Sequence, residues 1–296
     1  EGADAVLIQE DADREGESVV VRPGRDAARH IRPAGADFAA GDRLAAPRRL
    51  GPAEIALLAA MNVAEAPVTR RPVAALVPTG DELAPPGTAP GRDQILSSND
   101  YGLKALLEAA GAEARRLPIA RDTPESLAAV LALAEDADLV VTLGGASVGD
   151  FDLVQRTALA HGLALDFYKV AIRPGKPLMA GRIDGRILVG LPGNPVSAMV
   201  CGRVFLVPAV ERMLGLPGDP PAPLAARLAV DLGPNGPRAH YMRARIAVED
   251  GGYVCTPFER QDSSLLSVLA AADALMVRPP GEGAKRAGDQ VEFIWL

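Results

Sequence analysis

The residues best equipped for chemistry gather in four short stretches. In "RPGKPLMAG", a glycine lies between two prolines and is flanked by the fixed cations Arg173 and Lys176. So stiff a turn with two positive charges suits an anion. In "TGDELAPPG", the adjacent carboxylates Asp81 and Glu82 follow a Thr79-Gly80 turn, an arrangement able to hold a hard cation such as Mg²⁺. "LGGASVGDFD" carries Gly144, Gly145 and Gly149, which let a ligand approach the backbone closely, and Ser147, whose hydroxyl adds to backbone donors for phosphate oxygens. Asp150 and Asp152 follow, near the start of a helix, where they can hold a metal or position a reacting group. In "LPGNPVSAM", Pro192 and Pro195 stiffen a Gly193-Asn194 turn, and Asn194 is placed to cap a helix beginning at Pro195. Taken singly, the GDE stretch is also a solvated acidic turn and PGNP a simple helix cap. Neither the GxxxxGK[ST] loop nor the GxGxxG fingerprint is present.

These stretches share a position relative to the elements around them. Strands alternate with helices between Val73 and Leu216: "VAALVP", "ARRLPIA", "ADLVVTLGG", "LDFYKVAI" and "GRILVGLPGN" read as strands. "SSNDYGLKALLEAAG", "TPESLAAVLALAED" and "FDLVQRTALAHG" read as helices, and a long helix begins near Pro195. The alternation predicts a mostly parallel, doubly wound sheet, with ligands at the carboxyl ends of its strands. All four stretches follow predicted strands and so face one crevice. Glycines, hydroxyls, two cations and several acids there suit a phosphorylated ligand with a divalent cation, as in a phosphate-handling α/β enzyme.

Around this centre, residues 1–45 alternate short β-type runs (Ala5 to Gln9, Ser18 to Arg22) with turns, and Pro52 opens a helical connector within 46–71. The α/β domain is expected over 72–216. Residues 217–296 return to short strands punctuated by Gly and Pro, "ARLAVDL", "HYMRARIAVED", "YVCTPFE", "DALMVRPP" and "QVEFIWL", which predicts a small β-barrel.

Composition bounds the function. With 296 residues, 48% of them hydrophobic, the chain supports a sizeable core. A net charge of −7 argues against a broad nucleic-acid surface. No apolar run approaches the roughly 20 residues that cross a bilayer, and the N-terminal residues do not read as a signal peptide, so a cytoplasmic protein without membrane attachment is expected. Cys201 and Cys255 form no CxxC, and the three histidines are scattered, which excludes a zinc framework or Ser-His-Asp triad read from spacing. The chain begins with Glu1 and reads as the remainder of a longer polypeptide.

In their order, "VPTGDEL", "SNDYGLKALLEAAG", "RDTPESL", "LGGASVGDFD", "RPGKPLMAG" and "LPGNPVSAMV" resemble the molybdopterin molybdenumtransferase family, known as MoeA in bacteria and as the gephyrin E domain in animals. "EGADAVLIQE" before them, and "RAHYMRARI" with "QDSSLLSVLAAADALMV" after them, extend the resemblance over essentially the whole chain. It implies insertion of molybdate into adenylylated molybdopterin with Mg²⁺ and release of AMP, on small-molecule substrates, by a homodimer. The adenylyltransferase of the preceding step and recipient molybdoenzymes become expected partners. By motif, Arg173, Lys176, Pro177, Arg243 and Ser263 hold molybdate. Ser147 and Asp152 face the pterin phosphate and the metal, and Glu82 and Asp122 are further acidic participants. Thr79, Gly80, Gly144, Gly145, Ser147, Gly149 and Pro192 to Pro195 line the pterin site.

Three features depart from the family pattern. Arg173 stands where Lys is common, Asp262 stands where Gly is usual and adds a carboxylate beside the oxyanion site, and a preceding "DNSAMDGYA"-like segment is not in this sequence. Two other readings are an adenylyltransferase of the preceding step, which shares a GG-x-S-x-G-x-x-D loop, and a non-catalytic peptide-binding scaffold. The PGNP turn, the terminal β-domain and the Arg243/Ser263 pair argue against the former. Nothing marks a peptide groove for the latter.

Overall fold

The computed structural model describes residues 5–22, 31–144, 157, 159, 160 and 162–296. Two compact units emerge, Glu1–Pro67 and Val68–Leu296. In the first, β1 (Ala12–Glu15) and β2 (Ser18–Val21) form an antiparallel hairpin. Gly16, at φ 63°, supplies the left-handed residue of its two-residue turn. That turn pairs Ala12 with Val21, and among the described residues the expected strand Ala5 to Gln9 forms no ladder, the chain instead making a 3-10 turn at Gln9–Asp11 before β1. Helix α1 (Pro52–Ala60) opens with Pro52 in its first turn, and Glu54 accepts the Gly51 N–H at 3.0 Å.

The second unit begins with β3 (Val73–Pro78), the small parallel pair β4 (Leu83–Ala84) and β5 (Ile95–Leu96), α2 (Asn99–Ala110), β6 (Glu113–Arg116), α3 (Pro124–Ala132) and β7 (Leu139–Leu143). β8 (Ala164–Tyr168), β9 (Ile172–Arg173), β10 (Met179–Ile183) and β11 (Arg186–Leu191) follow. Six of these strands make one sheet in the order β6-β3-β7-β11-β10-β8. Strands β6, β3, β7 and β11 are parallel, and β10 is antiparallel to both its neighbours. The period-2 geometry of β3 shows that both faces are covered: Ala74 and Leu76 pack with Leu103 and Leu107 of α2, whereas Ala75 and Val77 pack with Leu127 and Val130 of α3. Gly111, at φ 108°, stops α2, and the Thr123 hydroxyl accepts the Ser126 N–H at 3.2 Å to start α3.

Two expectations change here. The predicted strand "LDFYKVAI" breaks at Lys169, whose φ is 73°, and only its first part stays in this sheet. "MAGRI", read as part of the turn, is the separate strand β10. The Lys169 N–H bonds to Leu178 O at 2.8 Å and the Val170 N–H to Lys176 O at 3.0 Å, which folds the chain back from β8 into β10 and throws the intervening residues outward.

The long helix is α4 (Pro195–Cys201) and α5 (Val207–Met213) joined by a π-turn at Gly202–Leu206. The Val207 N–H reaches back to Gly202 O, and the widened turn directly precedes Pro208, which has no N–H to give the ladder. β12 (Leu224–Leu228), β13 (Ala239–Glu249), β14 (Gly252–Pro257), α6 (Leu266–Ala270), β15 (Ala274–Arg278) and β16 (Gln290–Trp295) complete the unit. Their five strands run β14-β12-β16-β15-β13, and β13 pairs with β14 to close a barrel around Leu228, Met242, Met276 and Phe293. The barrel's outer face meets α4 and the π-turn through Val196, Val200 and Val204 against Leu269, Leu275 and Ile294. Among the described residues no helix is long and apolar enough to cross a membrane.

Leu275 is fully buried in that seam. Leu275→Ala therefore lowers stability by about 2–5 kcal/mol, read as a shift of the urea unfolding midpoint at unchanged slope. The same change at the exposed Leu224 leaves the midpoint nearly in place.

Candidate functional site

The strand order reverses between β3 and β7: the chain leaves β3 for β6 on one side and returns to β7 on the other. A crevice at that point is where doubly wound sheets bind ligands. Its floor is sewn together beyond the strand ends, by Thr79 N–H to Leu143 O at 3.0 Å, Gly144 N–H to Leu191 O at 3.1 Å and Gly80 N–H to Ala120 O at 3.1 Å. Gly144, at φ 103°, is required by this closeness, since a Cβ there would lie 2.7 Å from Thr79 O. Over the floor opens a cavity of about 590 Å³. Of the residues expected from sequence, it brings together Thr79, Glu82, Gly144, Pro177, Pro192, Gly193, Asn194 and Pro195.

Other expected residues lie elsewhere. Gly80 is buried behind the wall, and a Cβ on it would run into the Glu82 carboxyl group, which folds over it. Asp122 is not on the cavity wall. It faces Asp81 instead, the Asp122 N–H bonding to Asp81 Oδ1 at 3.2 Å and the Asp81 N–H to Asp122 Oδ2 at 3.4 Å, so this acid is occupied in joining two loops. Gly145, Ser147, Gly149, Asp150 and Asp152, and most of the helix expected after them, lie outside the described residues. Among the described residues no three His, Cys, Asp or Glu side chains gather into a metal cluster.

The turn holding Arg173 and Lys176 is gripped from two sides. Gly175, at φ 113°, sits directly on Cys201 of α4: the thiol contacts Gly175 O at 3.8 Å, and a Cβ at this glycine would collide with Sγ. Burial pushes the Cys201 thiol up to about 12, so it stays a neutral S–H donor. On the other side, β9 leaves the α/β sheet and pairs in parallel with the barrel strand β13, Ile172 beside Ala239 and Arg173 beside His240. Pro177 reaches the cavity, while Arg173 and Lys176 are exposed.

Farther along β13 lies Arg243, fully buried. Gln261 clamps its backbone, accepting the Arg243 N–H at 3.0 Å and donating to Arg243 O at 2.9 Å. The guanidinium donates from Nη2 to Asp262 O at 2.9 Å, but Nε and Nη1 are buried without a partner. Burial lowers its proton affinity, Asp262 opposes that shift and Arg173 adds to it. Unpaired buried donors are costly. His240 Nε2 is likewise buried and unpaired. Burial first, then the charges of Arg173, Arg243, Arg278 and Arg238, push the His240 pKa down to about 4.

Ser263 and Ser264 have separate contacts. Ser263 O accepts the Val196 N–H at 3.0 Å, tying the loop to the start of α4, and it is Ser264 that lines the cavity. Asp262 Oδ1 accepts both the Ser264 N–H at 2.8 Å and the Ser264 hydroxyl at 2.6 Å. Those bonds, aided by Arg243 and Arg260, hold its carboxyl below the usual carboxylate range. Asn99, the first residue of α2, lines the cavity and donates from Nδ2 to Gly193 O at 2.7 Å, fixing the PGNP turn. Gln261, beside Asp262 in "RQDSS", carried no signal of its clamp.

The chain is similar to known proteins over nearly its whole length. Models described as "Probable molybdopterin binding domain", "MoeA C-terminal region (domain IV)" and "MoeA N-terminal region (domain I and II)" match residues 75–212, 225–296 and 1–62. The chain is 36% identical to molybdopterin molybdenumtransferase 2 of Mycobacterium tuberculosis, over 99% of this chain and 74% of that protein. It is 34% identical to the molybdopterin molybdenumtransferase of Nostoc sp., over 100% and 69%. A solved molybdopterin biosynthesis MoeA protein from Pyrococcus horikoshii superposes with a TM-score of 0.78 at 28% identity, covering 99% of this chain and 72% of that one.

The low His240 pKa carries a pH dependence of stability. An unfolded His takes a proton near its ordinary value of 6.5, whereas the folded protein resists until about 4. Stability is therefore complete above pH 6.5, declines between 6.5 and 4 by about 3 kcal/mol, and loses nothing more to this group below 4. Urea midpoints at pH 7.5 and 4.5 are expected to separate in the native protein and to converge in His240→Gln. An equal drop in both would assign it to other groups.

Proposed function

Because the chain belongs to the MoeA family of molybdopterin molybdenumtransferases, transferases of molybdenum cofactor biosynthesis, we propose that its cavity takes adenylylated molybdopterin and that the Arg173–Pro177 turn with Arg243 receives molybdate. The observation that carries this reading is the fully buried Arg243 guanidinium with two unpartnered nitrogens, Nε and Nη1, its charge coupled to that of Arg173 on the anion turn. A tetrahedral dianion supplies acceptors for both and gains charge-assisted hydrogen bonds on a backbone already held in place.

In this reading the residues divide the substrate between them. Thr79, Gly144 and the Pro192–Pro195 turn form the wall against which the pterin phosphate sits, with Asn99 holding that turn to shape. Arg173 and Lys176, both exposed, draw the dianion in, and Arg243, Pro177 and Ser263 fix it. The donor set also fits Mg²⁺, which commonly binds one or two carboxylates together with substrate phosphates and water; Glu82 stands on the cavity wall and Asp152, by motif, is its companion. When bound, the ion neutralises charge on the anhydride between AMP and the pterin phosphate. Molybdate binds through the two dithiolene sulfurs, the oxygens they displace leaving as water on protonation, and water cleaves the anhydride so that AMP leaves and the phosphate stays on the pterin. The family resemblance further points to a homodimer that receives its substrate from the adenylyltransferase of the preceding step.

The test is AMP release from adenylylated molybdopterin with Mg²⁺, with and without molybdate. Release is expected to depend on molybdate and to fall about tenfold or more in Lys176→Ala, which removes one charged hydrogen-bond partner. Formation of adenylylated pterin from ATP, with no molybdate-dependent AMP release, would move the protein to the earlier step.

A further inference from the structure

The buried Arg243 guanidinium has one carboxylate in its electrostatic reach that the proposed chemistry does not use. Asp262 gives its backbone oxygen to Arg243 Nη2 at 2.9 Å, and the charges of the two residues act on each other. Yet the Asp262 carboxylate does not pair with the unfilled Nε and Nη1. It is turned aside and held by the amide and hydroxyl of Ser264, a residue of the cavity wall. A negative charge thus sits beside Ser264 of the cavity wall and within reach of the fully buried Arg243, whose Nε and Nη1 have no partner. Any anion arriving at Arg243 must share the field of that carboxylate.

We infer that Asp262 is the counter-charge that sets the oxyanion affinity of this site: it weakens binding of a tetrahedral dianion at Arg243, and Ser264 sets how strongly by holding the carboxylate away from the guanidinium. The inference rests on the reading that the oxyanion occupies Arg243. Two charges at the rim of a water-filled cavity repel weakly but measurably, more so when one is a dianion. Asp262→Asn isolates the effect, because the amide oxygen can still accept both Ser264 donors and preserve the turn while the charge is gone. Ser264→Ala acts in the opposite sense, since the carboxylate loses its tether and becomes free to reach the open donors of Arg243.

The experiment is calorimetric titration of the chain with sodium molybdate. Asp262→Asn is expected to tighten binding roughly three- to tenfold at low salt, an advantage that shrinks as ionic strength rises. Ser264→Ala is expected to weaken binding, and to do so no longer when combined with Asp262→Asn. Equal or weaker binding in Asp262→Asn at low salt would overturn the inference, as would a Ser264→Ala effect that persists in the double variant. Arg243→Gln separates the two levels. If it abolishes binding while Asp262→Asn matches the native protein, the oxyanion site stands and the counter-charge alone fails. If Arg243→Gln binds as the native protein does, the oxyanion lies elsewhere and both fall.

Discussion

A pairing of two residues holds the site together. Ile172 and Arg173 leave the α/β sheet to run beside Ala239 and His240 of the barrel, where the Ala239 N–H bonds to Ala171 O at 2.9 Å and the Arg238 side chain adds a bond from Nη1 to Ile172 O at 3.3 Å. Without this contact Arg173 and Lys176 would ride on an exposed loop, where solvent and salt leave cations with little directed strength. With it, the turn is fixed between the barrel edge and Cys201 of α4. The same helix starts at the PGNP turn and packs its valines on the barrel. Cavity wall, anion turn and buried arginine therefore hang on one frame.

That frame explains how the protein tolerates a buried guanidinium with donors unfilled. The backbone of Arg243 is clamped on both edges by Gln261, and its position in β13 is set by the neighbouring barrel strands. An unfavourable local arrangement persists when its surroundings over-determine it, and such places tend to be functional ones. His240 is held in the same way and stays neutral among four arginines.

What was legible in the sequence was what is encoded locally. Gly, Pro and Asn in the strand-end turns, Gly111 at the stop of α2 and Thr123 at the start of α3 act within a few residues of themselves, and they placed the floor and most of the wall correctly. All five barrel strands were visible as short apolar runs between turn residues. What escaped depends on partners far along the chain. The break at Lys169 and the antiparallel β10 follow from β9 being drawn to the barrel, which no periodicity in "LDFYKVAI" reveals. The reciprocal bonds between Asp122, named only by the resemblance as an acidic participant, and Asp81 join separate loops. Ser263 and Ser264 differ by a single position, and only the fold decides which one faces the cavity.

The β9–β13 pairing also imposes an order on biosynthesis. As the chain emerges from the ribosome, β11 completes the hydrogen-bonded ladder of the α/β sheet by Leu191, and the cavity floor can close. The strand carrying Arg173 then has no partner until Ala239 and His240 have been translated, and Arg243 and its Gln261 clamp come later still. A nascent or truncated chain ending before the barrel therefore lacks the pairing that places Arg173 beside His240. The Arg173–Pro177 turn gains its fixed position only in the last part of synthesis.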